Sequence, residues 1–263
     1  MQKPRLGQHF LTRPEIAAWV AHSIDFSDVP TVLEIGPGHG ILTRELLQIA
    51  KKVVAVEKDV GLVAELNETF STEIASGHLV LLKEDVRDFD PSTCSHLSPT
   101  YALVANIPYY ITGFIIRQFL TSKKQPSAIA ILIQKEVAER IVAKNKKHSL
   151  LSLSVYAYGT PKLCKIVKAG AFSPPPKVDS AILSIEGISR DRFTSTTLEE
   201  RFFEIIKTAF SQKRKTLGAT LKKTVSEEDF LQCKLDKKTR PEDVSLEQWL
   251  CLAQKKITTD YPF

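Results

Sequence analysis

The segment Val32-Leu33-Glu34-Ile35-Gly36-Pro37-Gly38-His39-Gly40 constrains this chain more than any other. A mostly apolar, β-branched run enters three glycines at alternate positions and leaves into a helical pattern, which reads as strand, tight turn and helix. Glycine lets a backbone come close to a ligand where a Cβ would block it. A second strand pattern follows at residues 52–56, so the four pieces form a βαβ unit, and such units require a parallel sheet covered by helices. By itself the turn would equally serve a plain βα connection.

The alternation continues. Strands are expected at 31–35, 52–56, 79–82, 101–105 and 128–133, with helices at 41–50, 62–70 and 134–143. Two further strands, 162–168 and 180–185, flank Pro174-Pro175-Pro176, a stiff loop. From about Ser189 the strand signal stops, and helical periodicity at 198–210, 216–224 and 246–256 alternates with Lys/Arg-rich connections. The expected fold is α/β: a Rossmann-like, doubly wound domain over residues 1–188, followed by a small all-helical domain over 189–263.

Composition narrows the function classes. Hydrophobic residues at 43% and charged residues at 25% exclude a disordered or membrane-embedded chain. The excess of 36 Lys+Arg over 30 Asp+Glu favours a polyanionic partner without requiring one. Cys94, Cys164, Cys233 and Cys251 show neither C-x-x-C spacing nor a His partner at zinc-site distance, so reduced thiols and no metal are expected. With no long apolar run and no leader at its start, the chain is expected in the cytoplasm, away from membranes, as a monomer.

Two acidic residues at strand ends suggest what the glycine turn holds. Glu57 closes the second strand, where a carboxylate can accept both hydroxyls of a ribose, and Asp85 follows the third, within reach of an adenine amino group. Either acid alone would pass as a solvated loop residue; together they favour an adenosine-containing cofactor. The pyrophosphate-binding G-x-G-x-x-G spacing is absent because Gly40 closes the motif one residue early, which disfavours NAD and suits S-adenosylmethionine.

The fourth strand runs into Asn106-Ile107-Pro108-Tyr109-Tyr110, which points to a target atom. Adenine N6 is a poor nucleophile because its lone pair is delocalised into the ring. A catalyst must therefore hold both N–H groups with acceptors, such as the Asn106 amide oxygen and a main-chain carbonyl of Ile107 or Pro108. Tyr109 can stack on a flipped base, and no ionised general base is needed, because the nitrogen becomes acidic once it carries the methyl group. The plain alternative is a strand-ending turn with core tyrosines.

At this point the chain resembles a known family, the small-subunit ribosomal RNA adenine N6,N6-dimethyltransferases. The resemblance rests on Leu6-Gly7-Gln8-His9-Phe10-Leu11, the glycine turn, Asn106–Tyr109, the run from Phe172 through Pro174-Pro175-Pro176-Lys177-Val178-Asp179 to Ser180, and Phe210-Ser211-Gln212-Lys213-Arg214-Lys215-Thr216-Leu217. It implies that His9 and Leu11 line the cofactor site and that Gly36 and Gly38 approach the methionine part. Glu57 would hold the ribose, Asp85 the adenine, and Asn106 both cofactor and target. It further implies that Phe172 faces Tyr109 across the base, and that two adjacent adenosines in a terminal hairpin of small-subunit RNA are the substrate. Lys213, Arg214 and Lys215, on a basic helix, offer phosphate contacts, although a solvated helix face would look the same. The chain departs from the family pattern at His9, where Asn is frequent, at Tyr110, where a smaller polar residue is common, and in a short loop at 144–148.

Two other readings compete. The related large-subunit enzymes share the glycine turn and the Asn-x-Pro-Tyr element, and a binding module built on the same fold would need the basic tail but not Asn106. The proline-rich segment through Ser180 and the basic Phe210–Leu217 helix favour the small-subunit over the large-subunit enzymes, and the intact Asn106–Tyr109 element favours an enzyme over a binding module.

Overall fold

The computed structural model describes residues 9–212 and 214–255. Leu6, Gly7, Gln8 and Lys213 lie outside the described residues. The seven long strands are β1 (Thr31–Ile35), β2 (Val53–Glu57), β3 (Leu79–Lys83), β4 (Tyr101–Asn106), β5 (Ala128–Gln134), β6 (Thr160–Val167) and β7 (Ser180–Glu186). They form one sheet in the order β3-β2-β1-β4-β5-β7-β6. The first five are parallel, and β7 runs antiparallel between β5 and β6.

Burial explains the composition of these strands. Every residue of β1 and of β2 is buried, as expected of parallel strands covered on both faces. One face packs on the helix Pro14–Ala21, which the strand and turn signals had not revealed, and on Ile41–Ile49 through Leu42 and Leu46. Pro14 supplies the fixed φ of a first helical residue, and Ile16, Ala17, Val20 and Ala21 form the buried stripe. The helix Thr112–Thr121, also unforeseen, buries Thr112, Ile115, Ile116, Phe119 and Leu120 at clean helical spacing. Phe10–Leu11 pairs with Phe172–Ser173 in a short antiparallel ladder, tying the N-terminal motif to the proline-rich segment.

The chain separates into two compact units: residues up to Ala138 together with Gly159–Ser189, and Glu139–Tyr158 together with the residues from Arg190 on. The segment Glu139–Tyr158, assigned from sequence to the first domain, thus clusters with the C-terminal helices. Within that second unit, the helix Leu150–Tyr156 starts on a Ser149/Ser152 capping box. Thr196–Phe210 is the long helix, and Leu246–Gln254 starts on a Ser245/Gln248 box. The basic helix expected over Phe210–Leu217 is not continuous among the described residues. The long helix ends at Phe210, and helical structure resumes only at Leu217–Thr220.

The expectation of four reduced thiols is corrected. Cys233 and Cys251 form a disulfide with Cα atoms 5.7 Å apart, joining the end of the helix Glu227–Gln232 to Leu246–Gln254. An 18-residue separation carries no pairing signature, and only the packing of the two helices brings the sulfurs together. Cys94 and Cys164 are free and partly exposed. Alkylation of the denatured, unreduced protein should therefore label two cysteines, and four after reduction. Intact mass reads the difference, and four labels without reductant would contradict the bridge.

Candidate active site

The site lies where β1 stands between β2 and β4, at the carboxyl ends of the parallel strands. The chain departs to opposite sides there, and the crevice that opens is where doubly wound sheets bind ligands. A cavity at this point is lined by His9, Phe10 and Leu11, by Gly36–Gly38, by Glu57 and Lys58, by Asp85 and Arg87, and by Asn106–Pro108 with Tyr110. Segments far apart in sequence thus meet here.

The glycines divide their roles. Gly36 has φ +66°, and a Cβ there would meet nothing within 4 Å, so this is the point where a ligand can lie directly on the backbone. Over Gly38 the space is already taken, because a Cβ there would stand 3.1 Å from the Phe10 ring. Phe10 in turn packs on His39, with ring centroids 4.7 Å apart.

Glu57 is 7% exposed. Its Oε1 accepts the amides of Lys58 (2.8 Å) and Asp59 (2.9 Å), while Oε2 has only the Gly38 amide at 3.4 Å and so retains acceptor capacity toward the cavity. Asp85 is held more tightly. Arg87 forks onto it through Nε (3.0 and 3.1 Å) and Nη2 (2.5 Å), the Arg87 amide adds 3.0 Å, and Lys58 Nζ stands 3.6 Å away. The Arg87 hydrogen bonds hold the Asp85 carboxyl well below the usual carboxylate range. The Nε–H is shared between the two oxygens, so three Arg87 hydrogens engage a carboxylate with about four lone-pair sites, which leaves acceptor capacity for a ligand amino group. These features fit S-adenosylmethionine: an open glycine, one carboxylate oxygen for hydroxyls and one fixed acceptor for an exocyclic amine.

On the target side, the Asn106 Nδ2 donates weakly to the His9 carbonyl at 3.5 Å. The Pro108 carbonyl accepts the Ile111 amide at 3.1 Å, leaving a second lone pair. The Tyr109 hydroxyl shares a 2.6 Å hydrogen bond with Ser180, linking this element to the proline-rich segment, and burial pushes the phenol up.

Two expected placements change. Phe172 is 4% exposed and belongs to the apolar core beside Leu11, where it forms a ladder with Phe10–Leu11, and neither it nor Tyr109 is among the residues that line the cavity. The ring stacked on Tyr109 is instead His9, at 5.6 Å and 29°. Arg214 and Lys215 are exposed in the turn after Phe210 rather than on a helix, and Lys213 lies outside the described residues. Phe10, Lys58, Arg87 and Tyr110 also line the cavity and were not picked out as cofactor residues. Phe10 and Tyr110 each sit within a motif, whereas the positions of Lys58 and Arg87 depend on how loops fold after β2 and β3.

Beneath the turn, Glu34 is fully buried. Its Oε2 accepts the Thr43 hydroxyl at 2.7 Å, and Oε1 has no partner among the described residues. This contact ties β1 to the helix after the glycine turn and so holds the turn from below. Burial, reinforced by the nearby Glu57 charge against the opposing Thr43 bond, pushes the Glu34 carboxyl up to about 8.

A sheet in this order with its cavity at the crossing point defines a Rossmann-like methyltransferase domain. The overall fold matches the crystal structure of the 23S rRNA methyltransferase ErmE with a TM-score of 0.76 at 25% identity, over 93% of this chain and 98% of that one. It matches a dimethyladenosine transferase from Plasmodium falciparum equally well in fold, with a TM-score of 0.76 at 24% identity over 93% and 96%. The chain belongs to the ribosomal RNA adenine dimethylase family, whose model matches residues 1–257. It is 39% identical to the ribosomal RNA small subunit methyltransferase A of Dehalococcoides mccartyi, over 94% of this chain and 86% of the relative. To its namesake in Clostridium botulinum it is 35% identical, over 93% and 90%.

The Glu34 environment makes stability pH-dependent. An unfolded Glu ionises near about 4.3, so between there and about 8 the folded chain keeps a proton that the unfolded chain has lost. Glu34's contribution is therefore fully present below that unfolded value and fades as pH rises through about 8. Glu34→Gln, neutral at every pH, should gain Tm relative to wild type between pH 5 and pH 8.5 by roughly a few degrees. A difference that stays constant across that range would show Glu34 ionised throughout.

Proposed function

We propose that this protein transfers methyl groups from S-adenosylmethionine to N6 of two adjacent adenosines in a hairpin near the 3′ end of small-subunit ribosomal RNA, during small-subunit assembly in the cytoplasm. The observation that carries this reading is the convergence of Asn106, Glu57 and Asp85 on one cavity beside an open glycine. The names of the relatives support the small-subunit target over the large-subunit target of ErmE, since the identities of 35–39% exceed 25%.

S-adenosylmethionine supplies an electrophilic methyl group when bound. Glu57 Oε2 is the acceptor for its ribose hydroxyls, Asp85 for its adenine amine, and Gly36 the place where its backbone-facing side can lie. Asn106 Oδ1 and the Pro108 carbonyl accept the two N6 hydrogens of the target, which turns the nitrogen lone pair out of the ring plane and aims it. Donation of Nδ2 to the His9 carbonyl sets which end of the Asn106 amide faces the base. Tyr109, anchored through Ser180, provides a stacking face, with His9 rather than Phe172 as the neighbouring ring. The apolar walls, Leu11, Ile35 and Ile107 among them, keep water from the reacting atoms. Arg214 and Lys215, with Lys213, supply phosphate contacts from the helical unit.

Labelled methyl transfer to unmethylated small subunits, with nucleoside analysis, should yield dimethyladenosine for the wild type and at least about 100-fold less for Asn106→Ala. Transfer to large subunits alone would move the chain to the ErmE-like reading. Replacing Lys213, Arg214 and Lys215 with Ala should weaken RNA binding and reduce its salt slope by about 0.7–0.9 for each phosphate no longer neutralised. An unchanged slope would remove the basic turn from the RNA surface.

A further inference from the structure

The helix Thr112–Thr121 buries one face cleanly, but the opposite face begins with an unusual line. Tyr110, two residues before the helix, is 70% exposed, and Phe114 is 43% exposed. Arg117, also exposed, lies three residues after Phe114 on the same side of the helix, and Tyr110 stands in the 3-10 turn Tyr109–Ile111 that leads into it. Single exposed apolar residues are ordinary on a protein surface. Here, however, two exposed aromatic rings and a guanidinium follow one another within eight residues, and the first of them, Tyr110, lines the mouth of the active-site cavity. Neither ring is needed for the core, which Ile115, Ile116, Phe119 and Leu120 already fill.

The surroundings favour a polyanion with flat faces. Arg87, which also lines the cavity, lies near Tyr110. Unpaired nucleotides bind where aromatic rings take base faces and cations take phosphates, and base–aromatic stacking tolerates any base. Along the helix, Phe114 and Arg117 are separated by a rise of about 4.5 Å at about 1.5 Å per residue, a little more than one stacked-nucleotide step of about 3.4 Å, and Tyr110 precedes them at the cavity mouth.

We propose that Tyr110, Phe114 and Arg117 form a nucleotide track that holds the unpaired residues flanking the target adenosine, with bases stacked on the two rings and a phosphate at Arg117. The inference rests on the RNA-methylation reading above; Phe114 and Arg117 lie outside the cavity lining, and Tyr110 stands at the cavity mouth. It explains how a base can be presented to Asn106 while its neighbours are kept unpaired: the track supplies stacking to replace what the neighbours lose when the loop opens.

The test uses the full chain and an RNA hairpin with 2-aminopurine next to the target adenosine. Wild type should quench the probe on binding. Tyr110→Ala and Phe114→Ala should each abolish most of the quench and weaken RNA affinity by about tenfold, the order of one base–aromatic stack. Tyr110→Phe, which keeps the ring, should behave as wild type. Phe114→Ala should retain wild-type helix content and S-adenosylhomocysteine affinity, which separates a disabled track from a damaged fold. Unchanged quench and affinity in the Tyr110→Ala/Phe114→Ala double variant would overturn the track. So would unchanged binding to naked RNA alongside abolished binding to protein-containing subunits, which would assign the stripe to a ribosomal protein. A wild type that binds and methylates the hairpin without quenching defeats the track alone. A wild type that neither binds nor methylates any RNA defeats the functional reading itself.

Discussion

The catalytic unit depends on the reversal of strand order at β1. With β2 on one side and β4 on the other, the chain must leave β1 over one face and return to β4 from elsewhere, and no connection covers the strand ends at that point. A crevice there is a consequence of topology before any side chain is considered. The glycine turn follows β1 directly, so the backbone forms the floor, and the residues after β2, β3 and β4 become its walls whatever their identity. In this chain those walls carry the Glu57 carboxylate at the end of β2, the Asp85 carboxylate after β3 and the Asn106 amide at the end of β4.

That arrangement sets charge against burial, and the two carboxylates near the cavity solve the problem differently. Asp85, at the rim, is matched by a forked guanidinium and a nearby ammonium group, so it stays ionised and fixed. Glu34, below the floor, has no cation partner among the described residues and accepts a single hydroxyl, so burial keeps its proton on to about 8. A neutral Glu34 lets Glu57 carry the negative charge of the floor without a like charge pressing on it from beneath.

The N-terminal strand shows how a short element can organise several motifs. Phe10–Leu11 pairs with Phe172–Ser173, the Phe10 ring fills the space over Gly38, and His9 offers its carbonyl to Asn106 and its ring to Tyr109. The Tyr109–Ser180 hydrogen bond closes the circuit from the other side. Four of the motifs that mark the family are therefore one packed assembly, which explains why the chain carries them together, and why Phe172, drawn into that packing, is an anchor of the cavity wall rather than its surface.

Local physics was legible in the sequence. Apolar β-branched runs located the seven long strands to within a residue or two; for β1, β2, β4 and β5 the reason is that a parallel strand buried on both faces has almost no freedom of composition. Three alternate glycines located the floor, and strand-end acids and the Asn-Ile-Pro-Tyr element located the walls. The helices Pro14–Ala21 and Thr112–Thr121 were within reach too, since the Pro start of one and the spacing of buried residues in both are visible in the letters. Only tertiary structure decided the rest. That Phe172 is buried beside Leu11 goes with a ladder to a partner more than 160 residues away. That Glu139–Tyr158 clusters with the C-terminal helices, and that Cys233 meets Cys251, depends on which helices pack together. Whether Arg87 reaches Asp85 depends on the path of one loop. These are contacts between surfaces, and spacing along a chain encodes a face or a turn but not the partner a face will meet.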